Sequence, residues 1–209
     1  MISVPRLVLA SASPARRRLL AAAGIAADVV VSGVDESTVD ADQPDVLCLS
    51  LARLKAEAVA ARLGGAGGPT LVLGCDSVLA FGGQILGKPA DAADATQRWH
   101  AMRGRSGVLY TGHCLIHLGP GQRAEAVART TVHFAQLSDT EIAAYVATEE
   151  PLSVAGAFTI DGLGGPFIES IDGDHSNVIG LSLPLLRRLL ADLGIRLTDL
   201  WRERLTSHV

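Results

Sequence analysis

The chain has 209 residues, a formal net charge of −4, 48% apolar residues and only 4% aromatic ones. That length supports a core of Ala, Val, Leu and Ile in one domain, 1–209, built as a single unit or as two lobes around a central cleft. The acidic balance excludes a basic face able to track polymeric nucleic acid, but not a small cationic pocket for one polyanionic ligand. Cys48, Cys75 and Cys114 are odd in number and lack C-x-x-C spacing. This argues against a disulfide framework or a zinc site and points to a reducing, cytoplasmic compartment. The apolar run Leu7-Val8-Leu9-Ala10 is too short for a secretory leader, and Arg16-Arg17-Arg18 follow it rather than precede it. No run approaches the roughly 20 apolar residues of a membrane span, so the chain is expected to be soluble.

Leu7 to Ala10 reads as a short buried strand, and Pro14 opens a helix that stops at Gly24. Val29 to Ser32 is a second strand, and Asp35 to Asp45 an acidic loop. Pro44 starts a longer helix with the apolar stripe Leu47, Leu51, Leu54 and Ala58, ended by a flexible connection over Gly64 to Pro69. Thr70 to Cys75 is a strand that delivers Asp76 at its tip. Val78 to Phe81 then pairs with Gln84 to Leu86 across Gly82-Gly83, a two-residue hairpin signal. Asp91 caps a helix to about Met102. Two long strands, Val108 to Leu118 and Ala124 to Leu137, meet at Gly119-Pro120-Gly121, and Ser138 with Glu141 forms a capping box. After the glycine-rich segment Gly156 to Gly165 come a short strand near Val178 and a final helix over Pro184 to Leu193. The pattern implies α/β with a mixed, twisted sheet flanked by helices.

The residues that bear chemistry are scattered. Ser11 to Arg18 places hydroxyls and unpaired N–H groups at a helix start, a natural anion site. Three arginines there oppose the helix dipole. Arg16 turns toward the body of the protein with Leu19 and Leu20, whereas Arg17 and Arg18 turn toward solvent. Lys55 sits at the edge of an apolar stripe, where it either snorkels or meets an anion, and taken alone it reads as snorkelling. Glu36 lies in an acidic loop after a strand, with metal binding or plain solvation open to it. Asp76 can take a proton or hold a divalent metal, and Lys88, between Gly87 and Pro89, can neutralise phosphate. Spacing alone favours an ordinary surface hairpin for this last pair. Gly82 to Lys88 matches the P-loop spacing, but Pro89 stands where a magnesium-binding hydroxyl belongs and Gln84-Ile85-Leu86 reads as strand. His113 and His117 are too far apart on a strand to share a metal, and Asp174-His175-Ser176 are merely sequence neighbours.

Taken in order, the pieces resemble the Maf family of nucleotide pyrophosphatases. They are Leu9-Ala10-Ser11-Ala12-Ser13-Pro14 with Arg16; Glu36; Leu51-Ala52-Arg53-Leu54-Lys55; Gly74-Cys75-Asp76-Ser77; Ile85-Leu86-Gly87-Lys88-Pro89; Glu150-Pro151; Ala155-Gly156-Ala157; and Gly173-Asp174 with Asn177-Val178-Ile179-Gly180-Leu181. Each motif is weak alone, and their order over nearly the whole chain is specific. The resemblance implies a Maf/Ham-like fold, often homodimeric. It implies hydrolysis of a nucleoside triphosphate, standard or modified, to monophosphate and diphosphate with a divalent cation, Mg²⁺ or Mn²⁺. It places Ser11, Arg16, Lys55 and Lys88 around the triphosphate, Glu36 and Asp76 at its acidic positions, and Asp76 as the proposed general base. Asp161 stands where some members carry Gln near the nucleobase, and Ala15 where many carry a second arginine. The alternative reading is a non-catalytic nucleotide-binding regulator of cell division.

Overall fold

The computed structural model describes residues 5–64 and 68–201. Residues 65–67 of the expected glycine-rich connection therefore lie outside the described residues. The elements are β1 (Arg6–Leu9), α1 (Pro14–Ala22), β2 (Ala27–Val29), α2 (Pro44–Leu63), β3 (Thr70–Phe81), β4 (Gln84–Leu86), α3 (Ala92–Met102), β5 (Ser106–His117), β6 (Gln122–Phe134), α4 (Asp139–Ala147), β7 (Ile168–Asp172), α5 (His175–Ile179) and α6 (Leu183–Asp192). They form a seven-stranded mixed sheet, β2-β1-β3-β5-β6-β7, with β4 added to β3. β1 runs parallel to β2 and β3, and the remaining pairs are antiparallel. The mixed α/β architecture is the one that the alternation of strands and helices implied.

Helices cover both faces. On one face, Leu20 of α1 and Leu186 and Leu190 of α6 bury against Leu7, Leu9, Leu71, Leu73 and Cys75. On the other, Ala52, Ala56 and Val59 of α2 bury against Val8, Val72 and Cys114. Farther along the long strands, Trp99 of α3 packs with Leu79, Phe134, Tyr145 and Phe158, and its indole N–H donates to Ala157 O at 2.8 Å.

Small residues let α2 lie directly on the sheet. A Cβ on Gly74 would meet Ala52 O at 2.1 Å, and one on Gly112 would meet Cys48 O at 2.3 Å. This close seating also rotates the helix from its expected orientation. Its buried face is Cys48, Leu51, Ala52, Lys55, Ala56 and Val59, not the Leu47-Leu51-Leu54-Ala58 stripe. Bulk gave way to fit, because only small side chains can face a backbone at this range.

Two other elements depart from expectation. Val178 lies in α5 rather than a strand. Asp174 caps that short helix by accepting from Ser176 N–H at 2.9 Å, and Gly180 ends it at φ +117°. A strand does precede it, but as β7, whose five residues pair with β6. β2 is likewise shifted toward the N-terminus, to Ala27–Val29.

Candidate active site

The strand carrying Asp76 does not end there. β3 runs unbroken from Thr70 to Phe81, and it is the neighbouring strand that stops. β1 pairs with β3 only as far as Leu73, where Ala10 N–H closes the ladder on Leu73 O at 2.8 Å. β4 resumes pairing at Leu79. Between them, Gly74 to Val78 pair with β5 alone, leaving one edge of β3 open. Since Leu73 turns its carbonyl to β1, alternation directs the main-chain groups of Cys75 and Ser77 to the same open edge. The expected strand tip is thus the interior of a long strand beside an interruption in the sheet.

Side chains arrive at this opening from both faces. Asp76 and Ser77 are consecutive and so project oppositely. On the α2 face, Lys55 donates to Asp76 Oδ1 at 2.5 Å and pairs with Glu36 Oε1 at 2.7 Å. Lys55 is buried, at 7% exposure, rather than snorkelling at a stripe edge as read from the sequence. Glu36 comes from a one-turn 3₁₀ helix capped by Asp35, which accepts from Ser37 N–H at 3.0 Å.

On the α1 face, the Arg16 guanidinium is held at three points. Nε donates to Gly180 O at 2.6 Å, Nη1 to Ser11 Oγ at 3.1 Å and Nη2 to Ser77 Oγ at 3.0 Å. Ser77 Oγ lies 2.9 Å from Thr111 Oγ1, which donates to Asn177 O at 3.4 Å. A Cβ at position 180 would lie 3.3 Å from Arg16 Nε, so glycine admits the guanidinium. Three of its five N–H groups are thereby used and two remain for a ligand. The helix start behaves as expected, with Pro14 in the first turn and Ser13 accepting from Arg16 N–H.

Burial decides the electrostatics. It raises the Asp76 pKa above the ordinary carboxylate value, outweighing the opposing pull of Lys55 and Arg16. Burial also pushes Cys75 up to about 12, so it stays a thiol, and lowers His113 to about 4, so it stays neutral. The neutral His113 Nε2 accepts from Ser182 N–H at 2.9 Å, which assigns its Nδ1 proton to Thr111 O. That histidine ties α6 to β5 and has no metal role.

The other expected residues stand farther out. Lys88 is exposed, and its ammonium makes no hydrogen bond or ion pair among the described residues. Its turn is fixed by Gly156 N–H to Gly87 O at 3.0 Å and by Arg98 to Gly87 O at 2.7 Å. Gly82-Gly83 does form a hairpin between β3 and β4, so the P-loop spacing there makes no phosphate cradle. Asp161 pairs with Arg18 at 3.3 Å, so Arg18 is not simply solvated. Its exposed guanidinium spans from α1 to the loop after α4.

Sequence reasoning missed what shapes that loop. Glu150 accepts from Tyr145 Oη at 3.1 Å, from Leu163 and Gly164 N–H at 3.0 Å each, and from Thr159 Oγ1. Burial raises its pKa, but these bonds lower it further, for a net depression. An amide at this position would turn donors toward donors. We expect Glu150→Gln to cost about 1–3 kcal/mol of stability and to open the 158–166 segment to limited proteolysis. An unchanged digestion pattern would show that the loop does not need this anchor.

Two surface hollows, of about 400 Å³ between β6 and α6 and about 380 Å³ between the β3–β4 hairpin and α3, lie elsewhere. Neither sets a buried carboxylate against a buried cation, as Asp76 and Lys55 are set. No described helix is long and apolar enough to cross a membrane.

Residues 6–193 match the family described as Maf-like protein. The chain belongs to the Maf family. Relatives named nucleoside triphosphate pyrophosphatase include one from Salinispora tropica, 68% identical over 97% of this chain and 90% of its own length. Another, from Streptomyces coelicolor, is 62% identical over 94% of both chains. One from Nostoc punctiforme is 53% identical over 96% of this chain and all of its own. The Maf match therefore spans every element that contributes a side chain to the opening in β3.

Proposed function

We propose that this Maf chain hydrolyses nucleoside triphosphates between the α and β phosphates, releasing monophosphate and diphosphate. The observation that carries this reading is the convergence at the open edge of β3. One buried carboxylate, Asp76, meets a buried lysine on one face, while a buried arginine on the other face bonds the next residue, Ser77. The names of the high-identity relatives support the same chemistry.

A polyphosphate repels an attacking water, so cations must first offset its charge. The two unused N–H groups of Arg16 and the main-chain N–H of Ser77 supply donors for phosphate oxygens. Lys55 lies opposite, and Lys88, on the turn after β4, serves the distal phosphates. Water then attacks the α phosphorus. A new P–O bond forms, the bond to the α–β bridging oxygen breaks, and diphosphate departs with its electron pair while Asp76 takes the water's proton. Glu36 and Asp76 bracket one cationic group already, so their hard oxygens fit a divalent ion completed by water and phosphate. Mg²⁺ or Mn²⁺ bound there would neutralise phosphate charge and acidify the water. Asp161 is assigned to the nucleobase end, where a carboxylate selects base edges that present N–H donors.

The test is pyrophosphate release from a panel of standard and modified nucleoside triphosphates with Mg²⁺ or Mn²⁺. At least one triphosphate is expected to be hydrolysed well above an Asp76→Asn background. If none is, and nucleotides only raise the melting temperature, the non-catalytic regulator replaces this reading.

A further inference from the structure

The two carboxylates assigned to a metal are already bridged by a cation of the chain itself. The Lys55 ammonium is 2.5 Å from Asp76 Oδ1 and 2.7 Å from Glu36 Oε1. It is held there firmly, because α2 rests on Gly74 and Gly112 with backbone against backbone. The side chains of Lys55 and Asp76 are only 9% and 11% exposed, so solvent screens the pair poorly. Among the described residues, no third Asp, Glu, His or Cys joins the two carboxylates to make a metal-binding group.

A divalent ion arriving alone must displace this ammonium and then sit beside it. A polyphosphate reverses the balance. Its oxygens attract Lys55 away from the carboxylates and supply the ligands that the protein lacks.

We infer that Lys55 is an internal counter-ion that keeps Glu36 and Asp76 from holding a divalent metal until a polyphosphate arrives. Metal and nucleotide then bind with positive coupling, and the coupling is reciprocal. The inference rests on the nucleotide reading above for the identity of the polyphosphate. It concerns the Lys55 bridge, which is independent of turnover.

The experiment is titration of the full chain with Mn²⁺ and no nucleotide, following the EPR signal of free Mn²⁺. Lys55→Met is expected to bind Mn²⁺ at least tenfold more tightly than wild type, about 1.4 kcal/mol, and Glu36→Gln added to it should abolish the gain. Equal Mn²⁺ affinity in wild type and K55M, or a gain that survives Glu36→Gln, overturns the inference. If K55M does not fold, the wild type alone decides. Mn²⁺ with a triphosphate analogue carrying a methylene bridge between the α and β phosphates should raise its melting temperature by more than the two separate shifts combined. An additive shift overturns the coupling. The two readings fail separately. Pyrophosphate release by wild type with no gain in K55M removes the counter-ion role alone. A gain in K55M with no release from any triphosphate removes the pyrophosphatase reading and leaves the bridge standing.

Discussion

Asp76→Asn is expected to lower pyrophosphate release by roughly 10²–10⁴-fold, the usual contribution of a positioned acid or base, while the protein still melts cooperatively. The substitution keeps the shape of the side chain and an oxygen that can accept from Lys55, so the seating of α2 persists. What it removes is a proton acceptor and a negative charge. The pH behaviour makes the prediction sharper. Burial raises the Asp76 pKa in the folded protein, so folded Asp76 holds its proton more tightly than unfolded Asp76. The ionised carboxylate therefore costs stability at neutral pH, and that cost is relieved as pH falls through the raised folded pKa. Wild type should gain stability relative to D76N on mild acidification. Over the same range kcat/KM of the wild type should fall, because the base becomes protonated. A D76N protein with wild-type turnover would remove Asp76 from the chemistry. An acid limb of kcat/KM at the pH of an ordinary solvated carboxylate would assign the limb to another group.

Gly112→Ala should have the second largest effect, on both stability and activity. Its Cβ would stand 2.3 Å from Cys48 O and 2.5 Å from Leu49 N, which are main-chain atoms of α2. No side chain can rotate out of the way, so the helix must lift. Overpacking of this kind costs about 1–3 kcal/mol, and in a chain of this size each kcal/mol lowers Tm by about 2–4 °C. Because Gly112 is paired with Asp76 across β3 and β5, the lift also separates Lys55 from Asp76. Activity should therefore fall further than the loss of folded protein explains. Gly119→Ala, at a site where an added Cβ meets nothing within 4 Å, is the matched control and should be silent. A Gly112→Ala protein with wild-type melting temperature would mean that α2 is not seated by this contact.

Much of the fold was legible because its signals are local. Pro14 and Ser13 start α1, the Ser138–Glu141 box starts α4, and Gly82-Gly83 turns the β3–β4 hairpin. Each rests on a few neighbouring residues whose hydrogen bonds close on themselves. The misread elements depend on distant partners. α5 and β7 are five residues each, too short for periodicity to separate strand from helix. The α2 face was read from the largest apolar side chains. The true face follows from two glycines, 22 and 60 positions after Ala52 in the sequence.

The site divides in the same way. Asp76, Arg16, Lys55 and Glu36 were singled out by charge beside apolar runs and by their order along the chain. Ser77 entered only as the end of the Gly74–Ser77 motif and Thr111 not at all, because a hydroxyl on a strand has no local signal until a guanidinium from α1 arrives. Glu150 entered only through the Glu150-Pro151 motif, and only the folded loop shows four donors turned on it.

By itself, then, the sequence determined the type of most elements, the mixed α/β class and the residues able to hold phosphate or move a proton. Those follow from hydrophobic periodicity, capping and side-chain chemistry, all of which act over a few residues. Only the tertiary structure decided that Asp76 lies inside a strand whose neighbour has stopped, with Arg16 and Lys55 entering from opposite faces. The physical reason is register. Where β1 leaves β3 depends on pairing between segments some sixty residues apart in sequence, and that pairing is set by the packing of the whole sheet rather than by any segment alone.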